Sequence, residues 1–374
     1  MKIAIDIRRV QDYGAGTYTR NLIHSLARLD RENSYTLVGS RTDWNELDTL
    51  PENFSLLEFE RGGGAGGDFQ LAWALRRWNV QLLHNPFLCT PWVLPCRHIM
   101  TVHDTVEFRD LRGNGNSLAD VLRFQRTRHS LRRARRILTV SQATRRDLQH
   151  IFGLPGEKIA VVYNAPDARL GQPPSTEEVQ QILERYSIHS PYLLYAGNVK
   201  RHKNLPRLIE AFALVKDQLR LHPQYAELKL IIIGDELSKH PQLRHAVIKS
   251  RTQHDVRFLG FVPPRTLNVF YSRAAAFVFP SLHEGFGLPP LEAMALGTPV
   301  VTSNVSALPE VLGEAACFVN PEKVFDIRRG IRDVLLDEKL RQHLIRRGHA
   351  QVRRFSWEDS VRRILEIYRE AVSS

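Results

Sequence analysis

The sequence predicts an α/β protein built from two doubly wound parallel-sheet domains in tandem. Short apolar, β-branched segments alternate with helical patterns along the whole chain, and such alternation builds parallel sheets covered by helices on both faces. At 374 residues the chain is also long for a single core. A polar, proline-rich segment at residues 164–191 separates the two halves and places the domain boundary near Arg169–Ser175.

Each half contains six candidate strands. Those of the first half are Lys2–Ile7, Tyr35–Val38, Val80–His84, His98–Val102, Arg136–Val140 and Ile159–Tyr163. Those of the second half are Tyr192–Tyr195, Leu228–Ile233, Val256–Leu259, Ala275–Phe279, Pro299–Thr302 and Ala316–Val319. Helical patterns lie between most of them, for example at Thr17–Leu29, Ser141–Ile151, Leu205–Leu219, Pro290–Leu296 and Val324–Leu336. Ligands of such sheets bind beyond the carboxyl ends of the strands.

An excess of basic residues indicates an anionic partner. The net charge is +12, which fits nucleic acid, an acidic membrane surface or a phosphorylated small molecule. Much of the excess lies in Arg123–Arg136, where Leu122, Leu131, Ala134 and Leu138 recur at near-helical spacing. We expect an amphipathic helix whose basic outer face is either simply solvated or attracted to an anionic membrane. No aromatic stacking pattern interleaves the arginines, so nucleic acid is not an expected partner.

Cysteine content and hydropathy predict a cytoplasmic chain. Cys89, Cys96 and Cys317 form no even disulfide set and no Cys-x-x-Cys pair, as is usual in a reducing compartment. No apolar run approaches the roughly 18 to 20 residues of a spanning helix. The start of the chain, MKIAIDIRRV, has the pattern of a strand followed by arginines rather than that of a signal peptide. Peripheral contact with the inner face of the cell membrane is compatible with this expectation.

The most informative segment is PSLHEGFGLPPLEA, Pro280–Ala293. It connects an apolar strand to a helix that begins at the proline pair, which places Glu284 on the loop and Glu292 in the first helical turn. Gly285 and Gly287 allow backbone amides to approach a ligand, and a helix start favours anions. The segment is therefore either a turn with solvated glutamates or a site for a ligand with several hydroxyls and a phosphate.

Two glycine-rich segments lie in the first half. In YGAGTYTRNL, Gly14 and Gly16 precede a helix and could approach a phosphate, but Thr19 stands where a dinucleotide fingerprint needs its third glycine. An NAD site is therefore not expected. In RGGGAGGDFQ, Arg61–Gln70, five glycines in six positions, Gly62–Gly67, predict either a plain flexible connector or a mobile loop that orders over a substrate.

Cationic and histidine side chains also follow candidate strands. Lys200, Arg201 and Lys203 crowd the loop GNVKRHKN, where they could neutralise a leaving diphosphate without a metal, or could form an ordinary cationic surface. His103 in TVHDT is either a structural hydrogen-bonding residue or part of a site. The sequence has no Asp-x-Asp pair and no cluster of His, Cys and acids with metal-ligand spacing. A metal site is therefore not expected.

Together these segments resemble the retaining glycosyltransferases of family 4, which have the GT-B fold of two facing Rossmann-like doubly wound domains. Glu284 and Glu292 in EGFGLPPLE match the family's Glu-x7-Glu motif. Further matches are EAMALGTPVVTS, AGNVKRHKNLPRLIEAF, the N-terminal glycine loop, TVSQATRRDL, VVYNAPD and FSWEDSVRRILEIY. The resemblance runs along nearly the whole chain. It implies an acceptor-binding domain at 1–170, a nucleotide-sugar-binding domain at 171–356, and a C-terminal helix at 357–374 that packs back on the first domain.

The resemblance implies catalytic roles for three side chains. Lys203 would stabilise the departing diphosphate, Glu284 would contact hydroxyls of the donor sugar, and His103 would lie against that sugar from the N-terminal domain. The chemistry would then be stabilisation of the leaving group in a closed, preorganised site.

The resemblance also implies a donor-binding set. Glu292 would hold the ribose hydroxyls, and backbone groups at Val262 would meet the base. Many family members carry an arginine where this chain has Asn198, so Lys200 or Arg201 would supply the second cation. The donor-binding set comprises Gly14, Gly16, Arg201, Val262, Gly285, Phe286, Gly287, Leu288 and Glu292.

The implied reaction moves a hexose from a nucleotide sugar to a glycan or lipid-linked glycan acceptor, with retained anomeric configuration and without a metal or another cofactor. Family members with a similar GNVKRHKN block are often mannosyltransferases of polysaccharide assembly, so GDP-mannose is the first expectation for the donor. Two alternatives stay open. A sugar-nucleotide epimerase or phosphorylase of the same fold would act without an acceptor or release a sugar phosphate, and a basic membrane or nucleic-acid adaptor would use Arg123–Arg136 instead.

Overall fold

The computed structural model describes residues 1–12, 14–47, 49–59, 65–88, 91, 93–109, 117–167, 174–234 and 236–373. The chain separates into two compact units. Unit 1 comprises Met1–Asn164 together with Ser356–Ser374, and unit 2 comprises Ala165–Phe355. The boundary that the sequence suggests near Arg169–Ser175 falls largely on residues 168–173, which lie outside the described residues.

Unit 1 contains a seven-stranded parallel sheet among its described residues. Its strands are β1 (Lys2–Asp6), β2 (Ser34–Gly39), β3 (Phe54–Glu58), β4 (Leu82–Asn85), β5 (Arg97–Val102), β6 (Arg136–Thr139) and β7 (Ile159–Val161). Their spatial order is β3-β2-β1-β4-β5-β6-β7, so the chain winds outward in both directions from β1 and β4. The helices are α1 (Ala15–Leu29), α2 (Arg41–Asn45), α3 (Ala65–Arg77), α4 (Val106–Arg109), α5 (Leu118–Arg133) and α6 (Gln142–Phe152).

Unit 2 contains a six-stranded parallel sheet in order β10-β9-β8-β11-β12-β13 within the described part of the chain. The strands are β8 (Tyr192–Ala196), β9 (Lys229–Ile233), β10 (Val256–Gly260), β11 (Ala276–Phe279), β12 (Val300–Ser303) and β13 (Ala316–Val319). The helices are α7 (Thr176–Arg185), α8 (Leu205–Gln218), α9 (Pro241–Lys249), α10 (Pro264–Arg273), α11 (Leu288–Ala295), α12 (Leu308–Leu312), α13 (Val324–Leu336) and α14 (Glu338–Val352). The last helix, α15 (Trp357–Ser373), belongs to unit 1.

The central strands are buried on both faces, which explains their continuous apolar sequences. In unit 2 every residue of β8, β11 and β12 is buried. The order of that sheet reverses direction between β8 and β11, so their carboxyl ends border the crevice where ligands of doubly wound sheets bind. The loops that follow these two strands contain Lys203 and Glu284.

All twelve predicted strands are present, but two features of unit 1 differ from the sequence prediction. The edge strand β3 was not expected, because Phe54–Glu58 is short and only two of its residues are buried. The glycine-rich loop prediction is wrong over Ala65–Gln70, because these residues open α3, while residues 60–64 lie outside the described part. Leu71 and Leu75 of α3 are buried in a core cluster, and this packing offsets the entropic cost of glycines at the start of the helix.

The basic segment forms a helix, and its predicted apolar positions are buried except for Leu122. Helix α5 ends at Arg133, and Leu138 belongs to β6 rather than to a continued helix. Leu131 is buried as expected, whereas Leu122 is exposed. Across the described ranges, no helix is both long enough and apolar enough to cross a bilayer.

Candidate active site

A lysine and a glutamate from two neighbouring loops meet at the carboxyl edge of the unit 2 sheet. Lys203 Nζ donates to Glu284 Oε1 at 2.7 Å. The two side chains are only 13% and 12% exposed, so solvent screens their attraction less than it screens a surface pair. The ammonium group of Lys203 also lies 5.1 Å from the ring centroid of Phe279, a favourable cation–π distance. The predicted Lys203 and Glu284 are thus brought into direct contact.

Asn204 holds the loops that carry this pair. Its Nδ2 group donates to the carbonyl of Pro280 at 3.0 Å and to the carbonyl of Pro321 at 2.7 Å. The residue is 3% exposed, and its backbone is left-handed with φ 63°, a conformation that Asn adopts more readily than most residues. The sequence analysis missed this role. The signal that could have found it is an Asn directly before a helix with proline in its first turn, in KNLP.

Ser306 fixes the main chain at Glu284. The Glu284 amide donates to Ser306 Oγ at 3.1 Å, and the Ser306 hydroxyl donates to the carbonyl of Glu284. Three residues after Glu284, Gly287 has φ 114°, and a Cβ there would lie 2.8 Å from Leu308 Cδ2. Position 287 therefore favours glycine for two reasons: the positive φ, and the lack of space for a Cβ. Gly287 caps α11, which begins at Leu288, so Gly285 and Phe286 lie in the loop just before that helix.

Glu292 is placed differently from the prediction. Because α11 begins at Leu288, Glu292 lies in its second turn rather than its first. An interaction with the helix dipole, which falls off within the first turn, therefore does not account for it. Its Oε2 accepts a hydrogen bond from the Tyr271 hydroxyl at 3.1 Å. Burial, with a smaller contribution from Asp167, raises the pKa of Glu292 to about 7.

The remaining predicted residues of unit 2 surround this edge without joining the ion pair. Arg201 opens a short 3-10 turn and is exposed, and Val262 is buried just after β10.

Two glycines at strand ends approach each other unusually closely, since a Cβ on Gly234 would lie 2.1 Å from the carbonyl oxygen of Gly197. The backbone of β8 and β9 is therefore packed too tightly at this edge to admit a side chain at Gly234.

In unit 1, the predicted residues Gly14 and Gly16 lie near the start of α1, and each position favours glycine for a different physical reason. Gly14 has φ 70° and ψ −75°, a conformation that residues with a side chain rarely adopt, and nothing lies within 4 Å of a Cβ built there. At Gly16 a Cβ would lie 2.3 Å from the carbonyl oxygen of Val10. Gly14 thus permits the turn, and Gly16 permits close approach of the helix to the preceding loop.

His103 follows β5 and is held by two neighbours. Its Nε2 lies 3.1 Å from the carbonyl oxygen of Pro86, and its ring makes an edge contact with Tyr18 at 4.7 Å between centroids. Burial lowers the pKa of His103 to about 4. Because a carbonyl oxygen only accepts, Nε2 carries the proton and Nδ1 is left as an acceptor.

A buried hydrogen-bond chain connects this region to the C-terminal helix. The Tyr18 hydroxyl lies 3.1 Å from Thr101 Oγ1, and His84 Nε2 lies 2.8 Å from the same oxygen. His84 Nδ1 lies 2.6 Å from the hydroxyl of Tyr368 on α15. Burial lowers the pKa of His84 to about 3, so the chain is uncharged at neutral pH. The sequence analysis did not identify this network, because its members are far apart in sequence.

Comparison with known proteins identifies the family. Residues 13–170 match the family model described as Glycosyltransferase Family 4, and residues 181–351 match the one described as Glycosyl transferases group 1. The chain is 34% identical over 301 residues to O-antigen chain mannosyltransferase B of Escherichia coli, a match covering 80% of this chain and 76% of that protein. The chain is a family 4 glycosyltransferase. The resemblance seen in its sequence motifs is thereby confirmed.

Solved structures confirm the GT-B fold of this glycosyltransferase. Sucrose-phosphate synthase from Thermosynechococcus elongatus superimposes with a TM-score of 0.80 at 20% identity, covering 100% of this chain and 99% of that one. HepE of Anabaena, solved in complex with UDP-glucose, gives a TM-score of 0.79 at 16% identity, covering 99% of this chain and 100% of that one. Within the described residues of the glycosyltransferase, no group of three or more His, Cys, Asp or Glu side chains is arranged to hold a metal ion.

Proposed function

We propose that this glycosyltransferase transfers mannose from GDP-mannose to a glycan or lipid-linked glycan acceptor, with retention of configuration and without a metal. The observation that carries the proposal is the largely buried ion pair between Lys203 and Glu284 beside the amino end of α11. The 34%-identical relative is named an O-antigen chain mannosyltransferase, which supports mannose and a surface-glycan acceptor. Cytoplasmic location is part of the same proposal.

The ion pair suggests how the leaving group is stabilised. A diphosphate that enters at this edge would compete with Glu284 for the ammonium of Lys203. Once displaced, the Glu284 carboxylate would be available to accept hydrogen bonds from hydroxyls of the donor sugar. The amides of Gly285–Leu288 at the start of α11 would add dipoles directed at the developing negative charge. Arg201 or Lys200 would supply further positive charge.

Glu292 and Val262 are proposed to hold the nucleoside. A ribose presents two neighbouring hydroxyls, and an ionised carboxylate accepts from both. Tyr271 already donates to one oxygen of Glu292, which orients the carboxylate. Backbone groups at Val262 would contact the base. In unit 1, His103 is proposed to accept a hydrogen bond from a ligand hydroxyl through Nδ1.

The test begins with the ligand. Calorimetry with GDP, UDP and ADP, followed by the sugars of the nucleotide that binds, identifies the donor, and we expect GDP and GDP-mannose to bind in the presence of EDTA. Consumption of GDP-mannose should then require an acceptor. Turnover without an acceptor, or release of a sugar phosphate, would instead indicate an epimerase or phosphorylase.

A matched pair of lysine variants tests the mechanism. Lys203→Ala removes a charge-assisted contact worth about 1.5–3 kcal/mol, so kcat should fall by roughly ten- to two-hundredfold. Lys249→Ala removes the same charge from an exposed position on α9 of unit 2, outside the proposed site, and should leave kcat nearly unchanged. Equal activity of Lys203→Ala and the wild type would show that Lys203 does not act on the leaving group.

A further inference from the structure

Two buried aromatic rings lie next to the loop that carries Lys203. Tyr195 is near the end of β8 and Phe279 is the last residue of β11, and both side chains are fully buried. Their ring centroids lie 5.7 Å apart, and the ring planes differ by 16°. Since β8 and β11 are neighbours in the sheet of unit 2, the rings form one stacked pair at its carboxyl edge. We call this pair the Tyr195/Phe279 platform.

The platform contacts the loop at residues 197–203 near both of its ends. The hydroxyl of Tyr195 donates to the carbonyl oxygen of Asn198 at 3.0 Å. Burial raises the pKa of Tyr195 well above its usual value, so this hydroxyl keeps its proton and remains a donor. At the other end of the loop, the ammonium of Lys203 lies 5.1 Å from the ring centroid of Phe279. A hydrogen bond therefore holds the start of the loop, and a cation–π contact holds its end.

The first residue of the loop also lies against the two rings. A Cβ at Gly197 would lie 3.2 Å from the hydroxyl oxygen of Tyr195 and 3.9 Å from Cε2 of Phe279. A side chain at this position would therefore press on the hydroxyl that binds Asn198. Contacts at Gly197, Asn198 and Lys203 together fix the loop on the platform.

Lys203 depends on such support because its side chain is long and flexible. In the structure, Glu284 and the ring of Phe279 both hold its ammonium group. In the proposed reaction a diphosphate displaces Glu284, so the contact with Phe279 is the one of these two that remains. An ammonium group has three donor hydrogens, and it can therefore lie on the face of a ring and donate to a phosphate oxygen at the same time.

We propose that Phe279 and Tyr195 are positioning residues for the leaving-group lysine. Phe279 holds the ammonium of Lys203 through the negative face of its ring, and Tyr195 holds the loop that carries this lysine. Both side chains are fully buried, so they act through Lys203 and not on the substrate. The inference rests on the proposed action of Lys203 on a diphosphate, but not on which base or sugar the donor carries.

A double-mutant cycle tests the role of Phe279. Phe279→Leu removes the aromatic face and should lower kcat with GDP-mannose by roughly two- to thirtyfold, the range expected for a cation–π contact. In a Lys203→Ala background the same change should have almost no further effect, because the ammonium that the ring supports is gone. Multiplicative effects of the two substitutions would overturn the inference and leave the role of Lys203 intact. Wild-type kcat in Lys203→Ala would instead overturn the proposed mechanism, and this inference with it.

Phe270→Leu is the matched control for loss of packing. Phe270 is another fully buried phenylalanine of unit 2, and its ring contacts those of Tyr186 and Tyr192. The thermal midpoints of Phe270→Leu and Phe279→Leu should fall by similar amounts, whereas kcat below the transition should fall only in Phe279→Leu. An equal fall of kcat in both variants would attribute the loss to a loosened core and contradict the inference.

Fluorinated phenylalanines test the electrostatic part, because they change the charge of the ring and nearly keep its shape. Each fluorine withdraws electron density from the ring face and weakens its attraction for a cation. Replacement of Phe279 by analogues with one, two and three fluorines should lower kcat in steps. The same series at Phe270 should leave kcat unchanged. A series at Phe279 in which kcat stays constant would show that the ring supplies only volume.

Tyr195→Phe tests the second contact, since it removes the hydroxyl that holds Asn198 and keeps the ring. We expect kcat to fall by roughly two- to tenfold. The control is Tyr192→Phe on the same strand, where the hydroxyl donates to the carbonyl of Phe270 at 2.9 Å. Each variant loses one buried hydrogen bond, so urea titration should show similar losses of stability, and only Tyr195→Phe should lower kcat. Unchanged kcat in Tyr195→Phe would contradict the role proposed for Tyr195.

Discussion

Asn204 allows the sharpest test of how the site is held. Asn204→Asp is nearly isosteric but replaces an amide donor with a carboxylate that faces the carbonyls of Pro280 and Pro321, now at 3.0 and 2.7 Å from Nδ2. Two buried hydrogen bonds are lost and both carbonyls remain without this donor, at about 1–3 kcal/mol each. The expected loss of stability is therefore about 2–6 kcal/mol.

For a unit of this size, such a loss lowers the thermal midpoint by about 4–24 °C. Differential scanning calorimetry measures it, and GDP-mannose turnover below the transition measures the effect on the site. Because Lys203 directly precedes Asn204, we expect kcat to fall even where the protein remains folded. Asn204→Gly keeps the left-handed backbone accessible and removes only the side chain, so it should be milder than Asn204→Asp.

Asn79 provides the matched control. It is another left-handed asparagine, with φ 54°, but it is exposed and lies in unit 1. Asn79→Gly should change the midpoint and the turnover only slightly. If Asn204→Asp and Asn204→Gly both behaved like Asn79→Gly, the hydrogen bonds to Pro280 and Pro321 would not be what holds the Lys203 loop.

Three further predictions concern other parts of the molecule. Burial raises the pKa of Glu292 from its usual 4.5 to about 7. Between these two pH values the carboxyl group therefore stays largely protonated in the folded protein. In the proposed site the ionised carboxylate holds the ribose, so GDP binding should strengthen as pH rises to about 7; calorimetry with Glu292→Gln should find no such dependence. Gly234→Ala puts a Cβ 2.1 Å from the carbonyl oxygen of Gly197, and soluble yield and thermal midpoint should both fall sharply; an unchanged midpoint would contradict this packing. Tyr368→Phe removes the hydroxyl 2.6 Å from His84 Nδ1, which should lower the free energy of unfolding by about 1–2 kcal/mol in urea titration, whereas no change would show that the bond contributes nothing.

The fold was predictable because buried parallel strands have a strong sequence signal. Apolar, β-branched segments separated by helical patterns located all six strands of unit 2. The sequence pattern did not predict β3, which is a half-buried edge strand. It also did not predict the start of α3, because glycines at that position favour a loop. In both places the deciding interaction is with residues distant in sequence, such as the core cluster that buries Leu71 and Leu75.

Sequence alone determined the family, the two-domain α/β plan and the residue types at the carboxyl edge, because motif chemistry and hydrophobic periodicity are local properties. Tertiary structure decided which groups meet. It paired Lys203 with Glu284, bonded Glu292 to Tyr271 one turn deeper in α11 than expected, and linked His84 to Tyr368 across 284 positions. It also left Trp73 and Leu122 on the surface. Contacts of this kind depend on how the chain packs in space, which local spacing does not encode.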